Sequence, residues 1–293
     1  MQGYSSFSDE ACDGIVTRAS VWEGAACARS VTPSHVRHNP VAGRAALRLV
    51  QLSDTTRSPS ARCEIAVAFS HELDAVFTHA PRPPRSRLHH LVARYDRVLH
   101  DDLVPRLAAA GVTFPCWDEL SSLDRVQMQR RFRERTFPLF TPMAVDSTHP
   151  LPQLASLGLN IGMQVDGRLV FVTMSPHVPR LLAVRRGRYL AVESFVGALL
   201  PQLLVGLRVA EHTTFRITRS SHSGKPVRLE VERAASAGLV DTLASRLGVA
   251  DGDVYRLHSS LSMGDALAIE PTRGGPIRAS SAATGRGSAT SRI

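Results

Sequence analysis

A run of four prolines in an apolar segment constrains this chain more than any other feature. Prolines stand at positions 138, 142, 150 and 152 among phenylalanine, leucine, methionine and valine residues, and the run leads into Leu157-Gly-Leu-Asn-Ile-Gly. Each proline fixes φ and removes a backbone donor, so a continuous helix cannot form here. The segment is too apolar for a surface loop. It therefore predicts an extended, turn-punctuated connector between packed elements.

The length and apolar content predict a globular protein without a membrane span. With 293 residues, 43% of them hydrophobic, the chain can hold one large or two medium domains. The best candidate for a span, Phe195 to Val209, is interrupted by Pro201 and Gln202, whereas a span needs roughly 20 apolar residues. The N-terminus has no readable secretory signal. We therefore expect a cytoplasmic location.

Four cysteines and a large positive charge give only weak functional signals. Cys12, Cys27, Cys63 and Cys116 are irregularly spaced without a Cys-x-x-Cys pair, so we expect free thiols; only their even number supports a disulfide or metal framework. The formal charge of +9 would attract polyphosphate, nucleic acid or an anionic membrane. Lys225 is the single lysine among 35 basic residues, which leaves 34 arginines. Because these are spread along the chain, compositional bias is the simpler interpretation, and no specific nucleic-acid partner is predicted.

Helical periodicity dominates the first half of the chain. Residues 1–59 show no sustained period and are expected to be poorly ordered, apart from a short helix possible at 45–52. Apolar residues from Cys63 to Phe77 fit one helical face, and a longer helix runs from Leu88 to Gly111. Pro105 predicts a kink or break in this second helix near Asp102.

A third helix is expected after a turn and cap at 118–124. It covers Leu123 to Thr136, with Val126, Met128 and Phe132 facing inward and arginines on the opposite face.

The pattern then changes to strands. Leu157 to Val165 and Arg168 to Thr173 are separated by Asp166-Gly167, a pair that favours a hairpin because both turn positions tolerate positive φ. The other expected elements are a short helix at 181–184, a strand at 189–192, a helix at 195–205, strands at 213–218 and 227–231, a helix at 234–247 closed by Gly248, and a last strand at 253–257.

Several motifs together resemble type-1 polyphosphate kinases, from about Cys63 to Leu267. They are IAVAFSHELDAVF at 65–77, YDRVLHDDLVPRLAAAG at 95–111, the proline-spaced connector, FRITR at 215–219, VRLEV at 227–231 and DVY at 253–255. The resemblance implies an α+β fold, with a small helical N-terminal domain followed by a mixed α/β head domain and disordered termini. The corresponding ranges are a poorly ordered segment at 1–59, a partial helical domain at 60–111, a head domain at 112–270 and a disordered tail at 271–293.

The resemblance also marks one position of interest, Glu72. In the family an asparagine at this place contacts the nucleotide base, whereas an ionised carboxylate only accepts hydrogen bonds and repels ATP phosphates. Leu73, Asp74 and Phe77 match the family motif around it. The alternative interpretation makes residues 70–74 the polar side of a packed amphipathic helix. Between FRITR and VRLEV the family carries an acidic helix, and its absence here predicts a hairpin.

The resemblance implies a reaction that this polypeptide is not expected to perform alone. The family elongates inorganic polyphosphate reversibly with ATP and magnesium, using two histidines, arginines and magnesium in two C-terminal domains that the 293 residues do not match. We therefore expect a truncated, degenerate homologue with no catalytic residue, metal ligand or bound cofactor of its own. The alternative is a non-catalytic module that binds polyanions such as polyphosphate, or that pairs with itself or with a full-length polyphosphate kinase.

Other candidate sites have simpler interpretations. His89, His90 and His100 do not share one helical face with a carboxylate at i, i+4, so surface positions are expected rather than a metal site. Gly224-Lys225-Pro226 lacks the rest of a phosphate-binding loop and predicts a turn. Two arginine groups could hold phosphates, although solvated surfaces are simpler. These groups are Arg130, Arg131, Arg133 and Arg135, and Arg185, Arg186 and Arg188.

Overall fold

A helical part precedes a mixed sheet in the protein, which is described by a computed structural model. The structure describes residues 40–53, 59–79, 82–131, 140–145, 153–175, 178–258, 262 and 265. The α+β class and the order of its two parts are as the sequence predicts. The expected tail at 271–293 lies outside the described residues, and the predicted domain limits stay predictions.

The helical part consists of two helices that pack against each other and one longer helical stretch. Its elements are α1 (Pro40–Ser53), α2 (Pro59–Thr78), α3 (Arg85–Arg97), a π-helical turn (Val98–Leu103) and α4 (Val104–Ala109). Their apolar faces share one core with the end of the sheet. The core includes Ala45, Phe69, Val76, Phe77, Leu88, Tyr95, Leu99, Val227 and Tyr255.

The break predicted near Asp102 takes the form of the π-helical turn. Pro105 has no N–H and its ring would clash with the carbonyl group four residues earlier in a regular α-helix. The wider turn at Val98–Leu103 relieves this clash, so the helical stretch continues into α4 without ending.

Helix α1 contains the short helix that the sequence allowed at 45–52 and is longer than that range. Ala42 and Ala45 are buried in the contact with the helical core, and α1 packs along α2. Small side chains allow this close approach although they give little hydrophobic periodicity. Residues 1–39 lie outside the described part of the chain.

Helix α5 (Ser122–Arg131) follows a 3₁₀ turn at Trp117–Glu119, in agreement with the predicted turn and cap. The Ser121 hydroxyl caps the helix by accepting from the backbone N–H of Asp124 at 3.2 Å. Met128 is buried as expected, whereas Val126 is 62% exposed. The inward orientation predicted for Val126 is therefore wrong, and Phe132 is not among the described residues.

A six-stranded sheet and a separate two-stranded hairpin make up the rest of the structure. The large sheet has the order β1-β3-β2-β6-β7-β8, antiparallel except for the β7–β8 pair. The strands are β1 (Pro142–Val145), β2 (Leu159–Val165), β3 (Arg168–Thr173), β4 (Leu181–Arg185), β5 (Arg188–Ala191), β6 (Val209–Arg219), β7 (Pro226–Glu232) and β8 (Val254–Leu257), and β4 pairs with β5. The described part of the proline-spaced connector is thus the edge strand β1, where a proline is tolerated.

Turn residues define the hairpins. Asp166 and Gly167 have φ of 47° and 76° and join β2 to β3, so this predicted hairpin is confirmed. The hairpin predicted between β6 and β7 is also present, with Gly224 at φ 67°. The prediction of a helix at 181–184 is wrong. Gly187, with φ of 73°, turns the chain there into the β4–β5 hairpin instead.

Two helices complete the sheet domain on opposite faces. Helix α6 (Val192–Leu203) shares a core with Val170 and Val172 of β3, while α7 (Ala237–Leu247) packs on the face that carries Leu169 and Phe171. Alternate residues of one strand therefore serve different cores. Arg216 on β6 points to the α6 face, and the neighbouring part of that face is covered by α2.

No helix in the described part of the chain is long and apolar enough to cross a bilayer. Cys116 is exposed and has a free thiol, in agreement with its prediction.

Candidate functional site

The matched motif residues meet where α2 crosses strands β6 and β7. In the antiparallel register Arg216 lies opposite Glu230 and Thr218 lies opposite Arg228. Residues directly opposite each other share one face of a sheet, so all four side chains face α2. Together with Asp74 of α2 they form what we name the junction cluster.

Arg228 is the centre of the junction cluster and is completely buried. Its Nη2 donates to Oδ1 of Asp74, and its Nε donates to the hydroxyl of Thr218 at 2.8 Å. The guanidinium carbon lies 4.3 Å from the ring centroid of Phe77, a cation–π geometry. Oε1 of Glu230 lies 3.3 Å from Nη1 and supplies further negative charge. The buried cation is therefore held by two carboxylates, one hydroxyl and one aromatic face.

Arg216 adds a second cation to the same face. Its Nε lies 3.8 Å from Oε2 of Glu230. Burial lowers the pKa of Arg216 while the carboxylates of Glu230 and Asp74 raise it, and the net shift is upward. Arg216 therefore stays charged, and the junction cluster pairs two cations with two anions.

Glu72 points away from the junction cluster. Its side chain is 17% exposed, and its Oε1 lies 3.8 Å from Nε of Arg44 and 3.8 Å from Nε of Arg48, both on α1. The other oxygen, Oε2, is buried without a hydrogen-bond partner among the described residues. The carboxylate at this position thus complements two arginines of the neighbouring helix, a contact that the sequence prediction missed because α1 was not expected to pack there.

A second polar cluster lies where β8 ends against α3 and the π-helical turn. Asp96 is buried, and its Oδ2 accepts from Nδ1 of His258 at 2.7 Å and from Nη2 of Arg233 at 3.1 Å. Its Oδ1 accepts from the backbone N–H of His258 at 3.0 Å and lies 3.8 Å from Nε2 of His100. We name these four residues the Asp96 cluster.

The hydrogen bonds of the Asp96 cluster assign its protons. Nη1 of Arg233 lies 3.0 Å from Nε2 of His258, and a guanidinium only donates, so Nε2 accepts and Nδ1 carries the proton given to Asp96. Burial lowers the pKa of His100, which favours its neutral form. Ligand atoms of Asp96, His100 and His258 all lie within 4.8 Å of one another, so these three side chains could hold a metal ion.

The prediction that His100 has no carboxylate at i, i+4 is wrong. His100 stands four residues after Asp96, a pairing that the sequence contains and that the comparison of histidines with each other overlooked. His258 comes from a strand 162 residues beyond Asp96 and carries no local signal. His89 has a separate place, stacked on Tyr255 with ring centroids 4.3 Å apart, and its Nε2 donates to the carbonyl oxygen of Gly252.

The two arginine groups singled out in the sequence meet on one surface. Nε of Arg185 donates to Oδ1 of Asp124 at 2.7 Å, and Nη1 of Arg131 donates to the carbonyl oxygen of Ala183 at 3.0 Å. Hydrogen bonds from Ser121 and Arg185 lower the pKa of the Asp124 carboxyl. Helix α5 and the β4–β5 hairpin thus form one arginine-rich surface. Arg133 and Arg135 lie outside the described residues.

Comparisons with known proteins agree with the motif resemblance. Residues 124–223 match the family model described as the polyphosphate kinase middle domain. A polyphosphate kinase of Streptomyces coelicolor is 33% identical over 207 residues, covering 61% of this chain and 28% of that protein. The Mycobacterium ulcerans polyphosphate kinase is 30% identical over 214 residues, covering 59% of this chain and 29% of that protein.

A solved structure shows the same fold. The crystal structure of polyphosphate kinase from Porphyromonas gingivalis superposes with a TM-score of 0.68 at 16% identity, over 80% of this chain and 40% of that one. Both the sequence matches and the shared fold support a relationship between this chain and the polyphosphate kinase family. It spans less than a third of the length of the two curated relatives.

Proposed function

We propose that this polypeptide is a non-catalytic structural part of a polyphosphate kinase, in which the junction cluster fixes helix α2 on the head sheet. The observation that carries the proposal is the complete burial of Arg228. A substrate cannot reach a guanidinium that is enclosed by Asp74, Thr218 and Phe77. Such a group serves to orient helix and sheet, which is a supporting role in catalysis at most.

The chemistry belongs to the family as a whole. By resemblance, family members elongate inorganic polyphosphate reversibly from ATP with magnesium, and phosphoryl transfer requires a cationic clamp and metal around the moving group. The part of this chain that matches the Streptomyces coelicolor relative covers 28% of that protein. We infer that this polypeptide alone does not transfer phosphate, and we assign no catalytic residue in it. The contact of Glu72 with two arginines also argues against a nucleotide contact at that position.

Phosphoryl transfer by the purified polypeptide tests this proposal. The chain is incubated with ATP, magnesium and a polyphosphate primer, with the Streptomyces coelicolor polyphosphate kinase as the positive control. We expect no acid-labile phosphate polymer from the chain. Polymer formation that grows with time and protein concentration would refute the proposal.

Polyanion binding is a second candidate function, favoured by the convergence of the two arginine groups. Arg130, Arg131 and Arg186 are exposed on the arginine-rich surface. Arginine holds phosphate oxygens with paired donors, and attraction of this kind weakens as salt displaces the released counterions. Fluorescence anisotropy with labelled polyphosphate should show binding at low salt that the triple variant R130Q/R131Q/R186Q loses. Equal binding by this variant and by the wild type contradicts a role for this surface.

Association with a second copy or with a full-length polyphosphate kinase is the third candidate. Leu123 and Val126 lie one turn apart on α5, and they are 60% and 62% exposed. Exposed apolar groups of this kind favour association when they form part of a larger patch. Size-exclusion chromatography with light scattering should show a dimer that V126E converts to a monomer. A wild-type chain that stays monomeric and ignores the full-length Streptomyces coelicolor protein excludes this candidate.

A further inference from the structure

We propose that Asp96, His100 and His258 form a binding site for a divalent transition metal ion such as Zn²⁺ or Co²⁺. The site is independent of the family reaction and of the junction cluster. It rests on one carboxylate and two imidazoles that come from separate elements, with the carboxylate buried and the ligand atoms within 4.8 Å of one another.

The distances fit a metal after a small adjustment. Zinc binds imidazole nitrogen and carboxylate oxygen at about 2.0–2.2 Å, which places tetrahedral ligand atoms roughly 3.3 Å apart. Nδ1 of His258 and Oδ2 of Asp96 are 2.7 Å apart, and Nε2 of His100 is 3.8 Å from Oδ1 of Asp96. These two pairs use different oxygens of Asp96, so binding through one oxygen requires the carboxylate to rotate while the ligand atoms, which lie within 4.8 Å of one another, approach this spacing. Such changes are within the reach of side-chain rotation.

The donor set selects the class of metal. Two imidazoles and one carboxylate suit zinc, cobalt and nickel, whereas magnesium and calcium favour sites made of oxygen ligands. Three protein ligands leave a fourth position for water. The side chain of His258 is 41% exposed, so an ion can reach the site from solvent.

Protons and charges balance when the ion enters. The proton on Nδ1 of His258 moves to Nε2 of the same ring, so Nδ1 becomes free to bind the metal and no net proton is released. Nε2 then carries a proton and no longer accepts a hydrogen bond, so the guanidinium of Arg233 must leave His258, while its positive charge beside Asp96 opposes the incoming ion. Arg233 therefore competes with the metal for the same carboxylate.

This competition distinguishes a metal site from a simple ion-pair network. Removal of Arg233 leaves Asp96 and both histidines in place while it removes a positive charge beside the ion. We expect R233Q to bind the metal more tightly than the wild type. If these side chains serve only to hold β8 on α3, R233Q should not bind the metal more tightly than the wild type, because the substitution would loosen the cluster without creating affinity for an ion.

Isothermal titration with Zn²⁺ and the absorption spectrum with Co²⁺ measure binding on the full chain after removal of any histidine tag. We expect one ion per chain. The bound Co²⁺ should show the visible absorption bands of an ion with a low coordination number. H100A and H258A should each weaken binding by more than about tenfold, the size of effect seen even for groups that only support metal ligands. H89A is the matched control and should bind like the wild type, since His89 stacks on Tyr255 away from the cluster.

Thermal unfolding gives an independent readout that does not depend on enzymatic activity. An ion that binds only the folded chain raises Tm as its concentration rises. We expect this rise for the wild type and a larger one for R233Q, with circular dichroism showing that each variant is folded. Wild-type affinity weaker than about 1 mM for both ions, or affinity unchanged in both H100A and H258A, overturns the proposal.

Discussion

Arg228 of strand β7 donates a hydrogen bond to Asp74 of helix α2, which lies 154 residues earlier in the chain. Arg228 is completely buried, whereas 27% of the Asp74 side chain is exposed. The pair connects the helical part to the sheet at the two places where the family motifs are matched. Removal of only one partner leaves a charge in the interior without its main counterion.

Asp74→Ala should therefore lower the free energy of unfolding by about 3 kcal/mol. Glu230 stays close to Arg228 and limits the loss. Urea unfolding followed by circular dichroism measures the change, with the exposed Asp241→Ala on α7 as the control. A loss for D74A no larger than that of D241A would show that the junction cluster does not hold helix and sheet together.

Glu72→Gln should have a much smaller effect, below about 1 kcal/mol, because the side chains of Arg44 and Arg48 are 57% and 38% exposed and such solvated pairs contribute little. The change should instead be local. Loss of the carboxylate removes its contacts with the two arginines of α1, so limited trypsin digestion should cleave faster after Arg44 and Arg48. Unchanged cleavage rates at these two sites contradict the proposed contact.

The lowered pKa of the Asp124 carboxyl predicts how the stability of the folded chain depends on pH. Hydrogen bonds from Ser121 and Arg185 lower its pKa in the folded chain below the ordinary value of 3.8. Its stabilising contribution is therefore fully present above that value and is lost as the pH falls below it. D124N should be less stable than the wild type at neutral pH and should lose less stability between about pH 5 and pH 3. Parallel pH profiles for the two proteins in urea unfolding would contradict this assignment.

Among the glycines that the structure describes, Gly187 is the one where a side chain should be least tolerated. Its φ is 73°, and a Cβ atom there would overlap the carbonyl oxygen of Gly111. Gly187→Ala should destabilise by more than the roughly 1–2 kcal/mol that a left-handed conformation costs alone. Gly206→Ala is the matched control, since Gly206 has φ of 81° and no atom near the added Cβ. Equal Tm values for the two variants would show that the close approach to Gly111 is unimportant.

Local signals in the sequence predict much of the sheet domain. Asp166 and Gly167 define a hairpin because both turn positions need positive φ, and Gly248 ends α7 in the left-handed conformation. Alternation along β3 is explained by two cores on opposite faces of one sheet. These elements depend on neighbouring residues, which a single sequence contains.

Contacts between distant segments could not be predicted in the same way. The packing of α1 depends on Ala42 and Ala45, which give little periodic signal. Val126 fits an apolar helical face but lies outside the core. The approach of His258 to Asp96 depends on the parallel pairing of β8 with β7, a relationship that no local pattern records.

Phosphoryl transfer by the purified chain shows directly whether this polypeptide is catalytic on its own. The purified 293-residue chain is given radiolabelled ATP, magnesium and a polyphosphate primer, and labelled acid-labile polymer is measured over time beside the Streptomyces coelicolor enzyme. We predict that label in polymer stays at the level of the protein-free blank while the enzyme incorporates it steadily. Steady incorporation by the chain itself, at a rate proportional to its concentration, would contradict the account.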